Sequence, residues 1–138
     1  MSDHLLDSSI LIRYLRRAPG YLEMFRNLGD TGWLNISAIT RLEIAQGMRE
    51  HERQATFDLL DSLVTLPVDS AIADLAGELV RTWKAKNMTL SIGDVLIAAT
   101  ALHYESDLVT NNACHFPMPE LMFSQADETG ILSQWQRA

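Results

Sequence analysis

The sequence has very few cysteines and no long apolar run. Cys114 is the one cysteine, so no disulfide bond can form within the chain, and we interpret it as a packed thiol. The longest apolar run, residues 95–102 interrupted by Thr100, is too short to cross a bilayer. The start, residues 1–4, lacks the basic residues and apolar core of a secretory signal. We therefore expect a cytoplasmic protein without a membrane segment.

Positive charge is also scarce. Eleven Lys and Arg stand against eighteen Asp and Glu, which gives a formal net charge of −7. This balance excludes a protein that binds nucleic acid through its overall charge. A nucleic-acid function would need metal ions or a local basic patch, for which Arg13, Arg16 and Arg17 are candidates. A solvated helix face is an equally good interpretation of these three arginines.

What the sequence does contain is enough apolar material for one core. Its 138 residues, 47% of them hydrophobic, predict a single domain over residues 1–138, without repeats or linkers. Apolar runs predict strands that alternate with amphipathic helices, which favours an α/β fold: a central parallel sheet of four to five strands with helices on both faces. Strands are predicted near residues 5–7, 33–36, 65–68, 107–110 and 121–123. The nearly apolar segment 92–102 is predicted to be a central buried helix.

Three acidic residues stand where an apolar element meets a polar boundary: Asp7, Glu43 and Asp94. Asp7 follows the first predicted strand, and ligands of parallel sheets gather outside the carboxyl ends of strands. Hard divalent cations prefer several oxygen ligands. We therefore expect the three carboxylates to converge in a site for a divalent metal ion.

Each acid also has a purely structural interpretation. Asp7 is a suitable helix N-cap. Thr40 and Glu43 have the spacing of a capping box, although Ser37 competes for the cap and would place Glu43 inside the helix. Asp94 stands three residues after a serine, again the spacing of a capping box. Only the joint occurrence of the three acids on these elements favours a site.

Four ordered motifs resemble those of the PIN-domain ribonucleases, and most of all the VapC-type toxins of toxin–antitoxin pairs. They span residues 4 to about 123, and are Leu5-Leu6-Asp7-Ser8-Ser9-Ile10-Leu11-Ile12, Ile36-Ser37-x-x-Thr40-x-x-Glu43-x-x-x-Gly47, Asp94-x-x-Ile97-Ala98-Ala99-Thr100-Ala101 and Leu108-Val109-Thr110-x-Asn112-x-x-His115-Phe116. The resemblance implies a PIN-like three-layer sandwich and a Mg²⁺- or Mn²⁺-dependent endoribonuclease that hydrolyses RNA phosphodiester bonds.

Carried over to this sequence, the resemblance makes Asp7 and Asp94 the principal metal ligands, with Glu43 completing a catalytic acidic pocket. Asn112 stands where a fourth acid is frequent in the family, so it would offer a neutral oxygen and hold a second ion less firmly. The residues expected to bind substrate are Ser8, Thr110, Arg13 and Arg16.

The resemblance also implies partners: an RNA substrate, a small antitoxin that covers the site, and a second copy in a homodimer. The tail, residues 124–138, departs from the family pattern, and we predict an extra helix there. Structural or surface positions are expected for the histidines and core or interface positions for the tryptophans: His4, His51, His103, His115, Trp33, Trp83 and Trp135.

Other functions compete with the toxin. A non-toxin PIN nuclease that processes RNA, or a catalytically quiet PIN binding module whose acids only cap helices, would carry the same motifs. A haloacid-dehalogenase-type phosphatase would need a second aspartate where Ser9 stands, and the paired acids of a phospho-receiver domain are missing. The RNA target is not encoded in any recognisable motif.

Overall fold

The computed structural model describes residues 3–134. The strands are β1 (His4–Leu6), β2 (Leu34–Ser37), β3 (Val64–Leu66), β4 (Asp107–Thr110), β5 (Phe123–Ala126) and β6 (Leu132–Gln134). The helices are α1 (Ser8–Leu15), α2 (Tyr21–Gly29), α3 (Ala38–Gly47), α4 (Arg53–Ser62), α5 (Ser70–Lys84) and α6 (Ile92–His103), with 3₁₀ turns at Glu50–Glu52 and Ala113–His115.

The strands form one sheet in the order β3-β2-β1-β4-β5-β6. The first five strands in this order, β3, β2, β1, β4 and β5, are parallel to their neighbours, and β6 runs antiparallel to β5. The predicted parallel α/β fold is confirmed. Because β1 lies between β2 and β4, the residue that follows it, Asp7, stands at the middle of the carboxyl edge of the sheet.

Two apolar cores cover the two faces of the sheet. One is built mainly by α5 and α6 against β1, β4 and β5, and the other by α1, α2 and α4 against β1 and β2. This is the three-layer arrangement expected from the sequence. None of the helices within residues 3–134 is long and apolar enough to cross a membrane.

The tail was predicted incorrectly, since its described part forms β5 and β6 instead of an extra helix. The Asp127 carboxylate organises the turn between these strands by accepting hydrogen bonds from the backbone N–H groups of Thr129 and Ile131 at 2.8 and 2.9 Å. Such side-chain bonds favour a turn over a continuing helix. Trp135 lies outside the described residues.

The ends of the helices settle the capping alternatives for Asp7 and Glu43. Asp7 is the N-cap of α1, and Ser37 caps α3 by accepting from the Ile39 N–H at 3.2 Å. Glu43 therefore lies inside α3, and the Thr40–Glu43 capping box is wrong.

The body of α6 is buried as predicted, but its first residue, Ile92, is 74% exposed. The first residue of α6 is therefore at the surface, and the buried part of the helix begins at Val95.

The expectations for four individual side chains have different outcomes. Cys114 is exposed and not packed, because its 3₁₀ turn directs Ala113 into the core instead. Trp33 is also exposed, which contradicts a core position, while Trp83 is half-buried beneath the ammonium group of Lys86. His4 has the structural position expected of it, buried beside Thr31 and Asp107.

Candidate active site

Asp7 is a nearly buried carboxylate, 6% exposed, at the carboxyl end of β1. Its Oδ1 accepts from the Ser8 backbone N–H at 2.8 Å. Its Oδ2 accepts from the Ser9 hydroxyl at 3.0 Å and from the Thr110 hydroxyl at 2.7 Å. These donors fix the orientation of the carboxylate and offset part of the cost of burying its charge.

Glu43 approaches the same edge from α3. Its Oε1 accepts from the Ser8 hydroxyl at 2.7 Å, so Ser8 contacts Asp7 with its backbone and Glu43 with its side chain. The Glu43 side chain is half-buried, whereas its sequence neighbours Leu42 and Ile44 are exposed and buried, respectively. Ser8 therefore joins two of the three predicted acids.

Asp94 stands in the first turn of α6, where its backbone N–H donates to the Ser91 hydroxyl at 3.1 Å. A carboxylate in the first turn of a helix is favoured by the helix dipole. Its Oδ2 lies 3.6 Å from Nδ1 of His115, with the two side chains 28% and 54% exposed. His115 was expected to be structural or on the surface, and it is partly exposed as expected. His115 and Asp94 are 21 positions apart in the sequence, so no local sequence pattern could predict their contact.

The three acids influence one another electrostatically. Burial raises the pKa of Asp7, and the negative charge of Asp94 adds to this, against the lowering effect of its hydrogen bonds. Burial likewise raises the pKa of Glu43, and the charges of Asp7 and Asp94 raise it further. The three predicted acids therefore lie near enough for the charges of Asp7 and Asp94 to act on their neighbours, and their role as a metal site stays a prediction.

Two predicted substrate-binding residues, Thr110 and Ser8, donate hydrogen bonds to carboxylates of the cluster. Thr110 is fully buried, and its hydroxyl oxygen accepts from the Asn112 backbone N–H at 2.9 Å while it donates to Asp7. Ser8 donates to Glu43. A buried Thr110 cannot contact RNA in this arrangement, so its geometry fits the positioning of Asp7 better than the binding of substrate.

Asn112, Arg13 and Arg16 lie around the cluster. The Asn112 side chain is exposed, and its backbone is held by Thr110. Arg16 lines a depression of about 210 Å³ together with Glu43, and with Arg13 it lines a second depression beside Ser9. α1 ends at Leu15, so Arg16 lies just beyond the helix on which it was predicted.

The donor chemistry of the cluster fits a hard divalent cation, but the side chains are not arranged as a finished cage. Within residues 3–134 no three Asp, Glu, His or Cys side chains are placed to hold a metal ion together. Hydroxyl groups take up oxygens of Asp7 and Glu43 instead. A cation would relieve the mutual repulsion that contributes to the raised pKa values of these two groups, provided that the side chains draw closer.

The sheet and the acidic cluster at its carboxyl edge define the class: an α/β protein with acidic residues gathered at the carboxyl ends of its parallel strands. The model of the PIN domain family matches residues 4–115. Ribonuclease VapC10 of Mycobacterium tuberculosis is 36% identical over 116 residues, 84% of this chain and 87% of that protein. Ribonuclease VapC19 of the same species is 34% identical over 119 residues, 85% of this chain and 95% of that protein. The chain belongs to the PIN domain family, among relatives of the VapC type.

A solved structure supports the same fold. The complex VapBC2 from Rickettsia felis, bound to a DNA fragment from its promoter, contains a chain that superposes with a TM-score of 0.79. The identity is 23%, and the match covers 91% of this chain and 99% of that one. At this identity the likeness concerns the fold alone.

Proposed function

We propose that this protein is a Mg²⁺- or Mn²⁺-dependent endoribonuclease and the toxin of a toxin–antitoxin pair. The observation that carries the proposal is the placement of Asp7, Glu43 and Asp94 together, because Ser8 links Asp7 to Glu43, and Gly93, the residue before Asp94, lies against the Glu43 carboxylate. Relatives named ribonucleases at 36% and 34% identity support the reaction class. The acidic cluster supports the requirement for metal, since buried like charges need compensation.

In the proposed mechanism, a bound divalent ion would supply Lewis-acid stabilisation of the phosphoryl oxygens and an activated water. Asp7, Asp94 and Glu43 would hold it, and the exposed Asn112 offers a neutral oxygen nearby. Thr110 and Ser9 orient the carboxylate of Asp7, and Ser8 orients that of Glu43. Arg13 and Arg16 provide positive charge for the phosphate backbone of RNA in a protein of net charge −7.

The proposed partners are an antitoxin and a second copy of the chain. Structural neighbours include chains of toxin–antitoxin complexes, which supports an antitoxin partner. We also propose that residues 1–138 form one PIN domain, because the tail continues the same sheet through β5 and β6. The homodimer is proposed from the family resemblance.

The test is RNA cleavage by the purified protein with Mn²⁺, Mg²⁺ or a chelator, and sequencing of the 5′ ends of RNAs cut after brief induction. Asp94→Asn should abolish the cuts, because it removes a charge from the proposed metal site. Asp74→Asn, which removes an exposed acid of α5, should leave them unchanged. Identical cuts with wild type and Asp94→Asn would refute the nuclease.

The same preparations separate the toxin from its two rivals. A small co-purifying protein that silences cleavage would support the toxin, and cleavage without any such partner would favour an RNA-processing nuclease. Folded protein that cuts no RNA under any metal condition would identify a quiet binding module.

A further inference from the structure

A chain of hydrogen bonds joins Asp7 to the β5–β6 hairpin. The Ser9 hydroxyl donates to Asp7 Oδ2 at 3.0 Å and accepts from the Asn111 backbone N–H at 3.2 Å. The Asn111 side-chain amide donates to the Tyr21 hydroxyl at 2.7 Å and to the Ala126 carbonyl at 2.9 Å. Asn111 therefore touches Ser9 with its backbone and the hairpin with its side chain.

The orientation of the Asn111 amide is set by its two donated bonds. The Tyr21 hydroxyl already donates its hydrogen to the Asp127 carbonyl at 2.7 Å, so it can only accept from Asn111. The buried Oδ1 of Asn111 has no donor within residues 3–134. A reversed amide would place this oxygen against two acceptors, which is unfavourable. The side chain is thus held in one orientation by α2 and by the hairpin.

The hairpin is itself docked firmly against the start of α2. A β-carbon at Gly20 would overlap the Thr129 carbonyl oxygen, and one at Gly130 would lie 2.8 Å from the Gly20 carbonyl oxygen. Both glycines have positive φ angles, 83° and 75°, which favour glycine in any case. Backbone packs directly on backbone here, next to the fully buried Tyr21.

We propose that Asn111 is a positioning residue through which the β5–β6 hairpin orients Ser9, and through Ser9 the carboxylate of Asp7. The hairpin lies beyond residue 115, where the match to the PIN domain family ends. The tail of this chain therefore helps to orient an active-site carboxylate. The inference rests on the proposed nuclease function for its effect on rate, but not for its effect on the geometry of Asp7.

The test compares Tyr21→Phe and Asp127→Ala with Tyr104→Phe. The first removes one hydroxyl from the chain of bonds, the second loosens the hairpin turn, and the control removes a hydroxyl at the far end of α6. The readouts are kcat and KM for RNA, and the ¹³C resonance of the Asp7 carboxyl in metal-free protein at one pH. Thermal unfolding checks that each variant is folded.

Both test variants should lower kcat by roughly tenfold with little change in KM, since misplacing a catalytic group by about 1 Å costs up to ~100-fold. Both should shift the Asp7 resonance, and Tyr104→Phe should change neither readout. Ser9→Ala cuts the connection, so Tyr21→Phe added to Ser9→Ala should cause no further shift or loss. That non-additivity is the signature that a merely stabilising Tyr21 would not give.

An unshifted Asp7 resonance in folded Tyr21→Phe, or fully additive effects with Ser9→Ala, would overturn the positioning role. If the wild type cuts no RNA, the proposed function fails while the resonance still decides whether the hairpin orients Asp7. The two failures are therefore distinguishable in one set of samples.

Discussion

Gly93 allows the carboxylate of Glu43 to lie against the first turn of α6. A β-carbon at position 93 would lie 2.6 Å from Oε2 of Glu43, which is closer than β-carbons approach other heavy atoms in real proteins. The residue after Gly93 is Asp94, so this close approach brings the acids of α3 and α6 together. The absence of a side chain at one position thus shapes the acidic cluster.

Gly93→Ala should fold normally and lose activity. Glycine-to-alanine exchange within a helix is favourable by about 1 kcal/mol, but the new methyl group would push the flexible end of Glu43 away from Asp94. We expect the thermal midpoint to stay or rise and RNA cleavage to fall by roughly tenfold or more. The control is Gly77→Ala on α5, where a β-carbon meets nothing within 4 Å, and which should keep full activity. Full activity of Gly93→Ala would show that the position of Glu43 is unimportant.

Metal affinity should fall as the pH falls, and binding should release protons. Burial and the neighbouring carboxylates raise the pKa values of Asp7 and Glu43, so both bind protons at a higher pH than ordinary carboxyl groups do. A cation binds only their ionised forms. Calorimetric titration with Mn²⁺ in buffers of different ionisation enthalpy measures the released protons. Affinity that does not change with pH would contradict a site built on these two acids.

The same shifts predict how stability depends on pH in the metal-free protein. The pKa values of Asp7 and Glu43 are higher in the folded state than in the unfolded state, so the folded state binds more protons. Their contribution therefore lowers stability as the pH rises from the unfolded toward the folded pKa values. Mn²⁺ should raise the thermal midpoint more at neutral than at acidic pH. Equal increments at both pH values would argue against metal at these carboxylates.

Thr110→Val should impair the rate and spare substrate binding. Valine has nearly the same shape but removes the donor to Asp7 and the acceptor for the Asn112 N–H, which costs about 1–3 kcal/mol when such groups are buried. We expect kcat to fall by roughly tenfold with KM unchanged, because the fully buried Thr110 cannot touch RNA. Thr110→Ser keeps the hydroxyl and should restore most of the rate. A rise in KM without a change in kcat would show instead that Thr110 contributes to substrate binding.

Arg16→Ala should weaken RNA binding in a salt-dependent way. Arg16 shares a surface depression with Glu43 and is exposed, so it can reach a phosphate beside the acidic cluster. Loss of one phosphate contact lowers the slope of log affinity against log salt by about 1. Fluorescence anisotropy with catalytically inactive Asp94→Asn protein measures this slope. Arg81→Ala, on the exposed face of α5, is the control, and an equal slope for both variants would identify Arg16 as a solvated charge.

Local patterns predicted much of the fold. Apolar runs alternating with amphipathic segments predicted the parallel sheet, and Ser37 was recognised as a possible cap that places Glu43 inside α3. The strand β6 escaped prediction because its three residues are only partly buried or exposed, so they carry no apolar alternation. The side of a short turn that faces the core is likewise not local information, and so Cys114 was misplaced.

By itself, the sequence determined which elements carry Asp7, Glu43 and Asp94, since strand ends and helix caps depend on neighbouring residues. The tertiary structure decided what each acid touches. The hydroxyl of Thr110 meets Asp7 across 103 positions, and His115 approaches Asp94 from the turn after β4. The physical reason is that hydrogen bonds and repulsion depend on distances of a few ångströms, and only the packing of distant segments sets those distances.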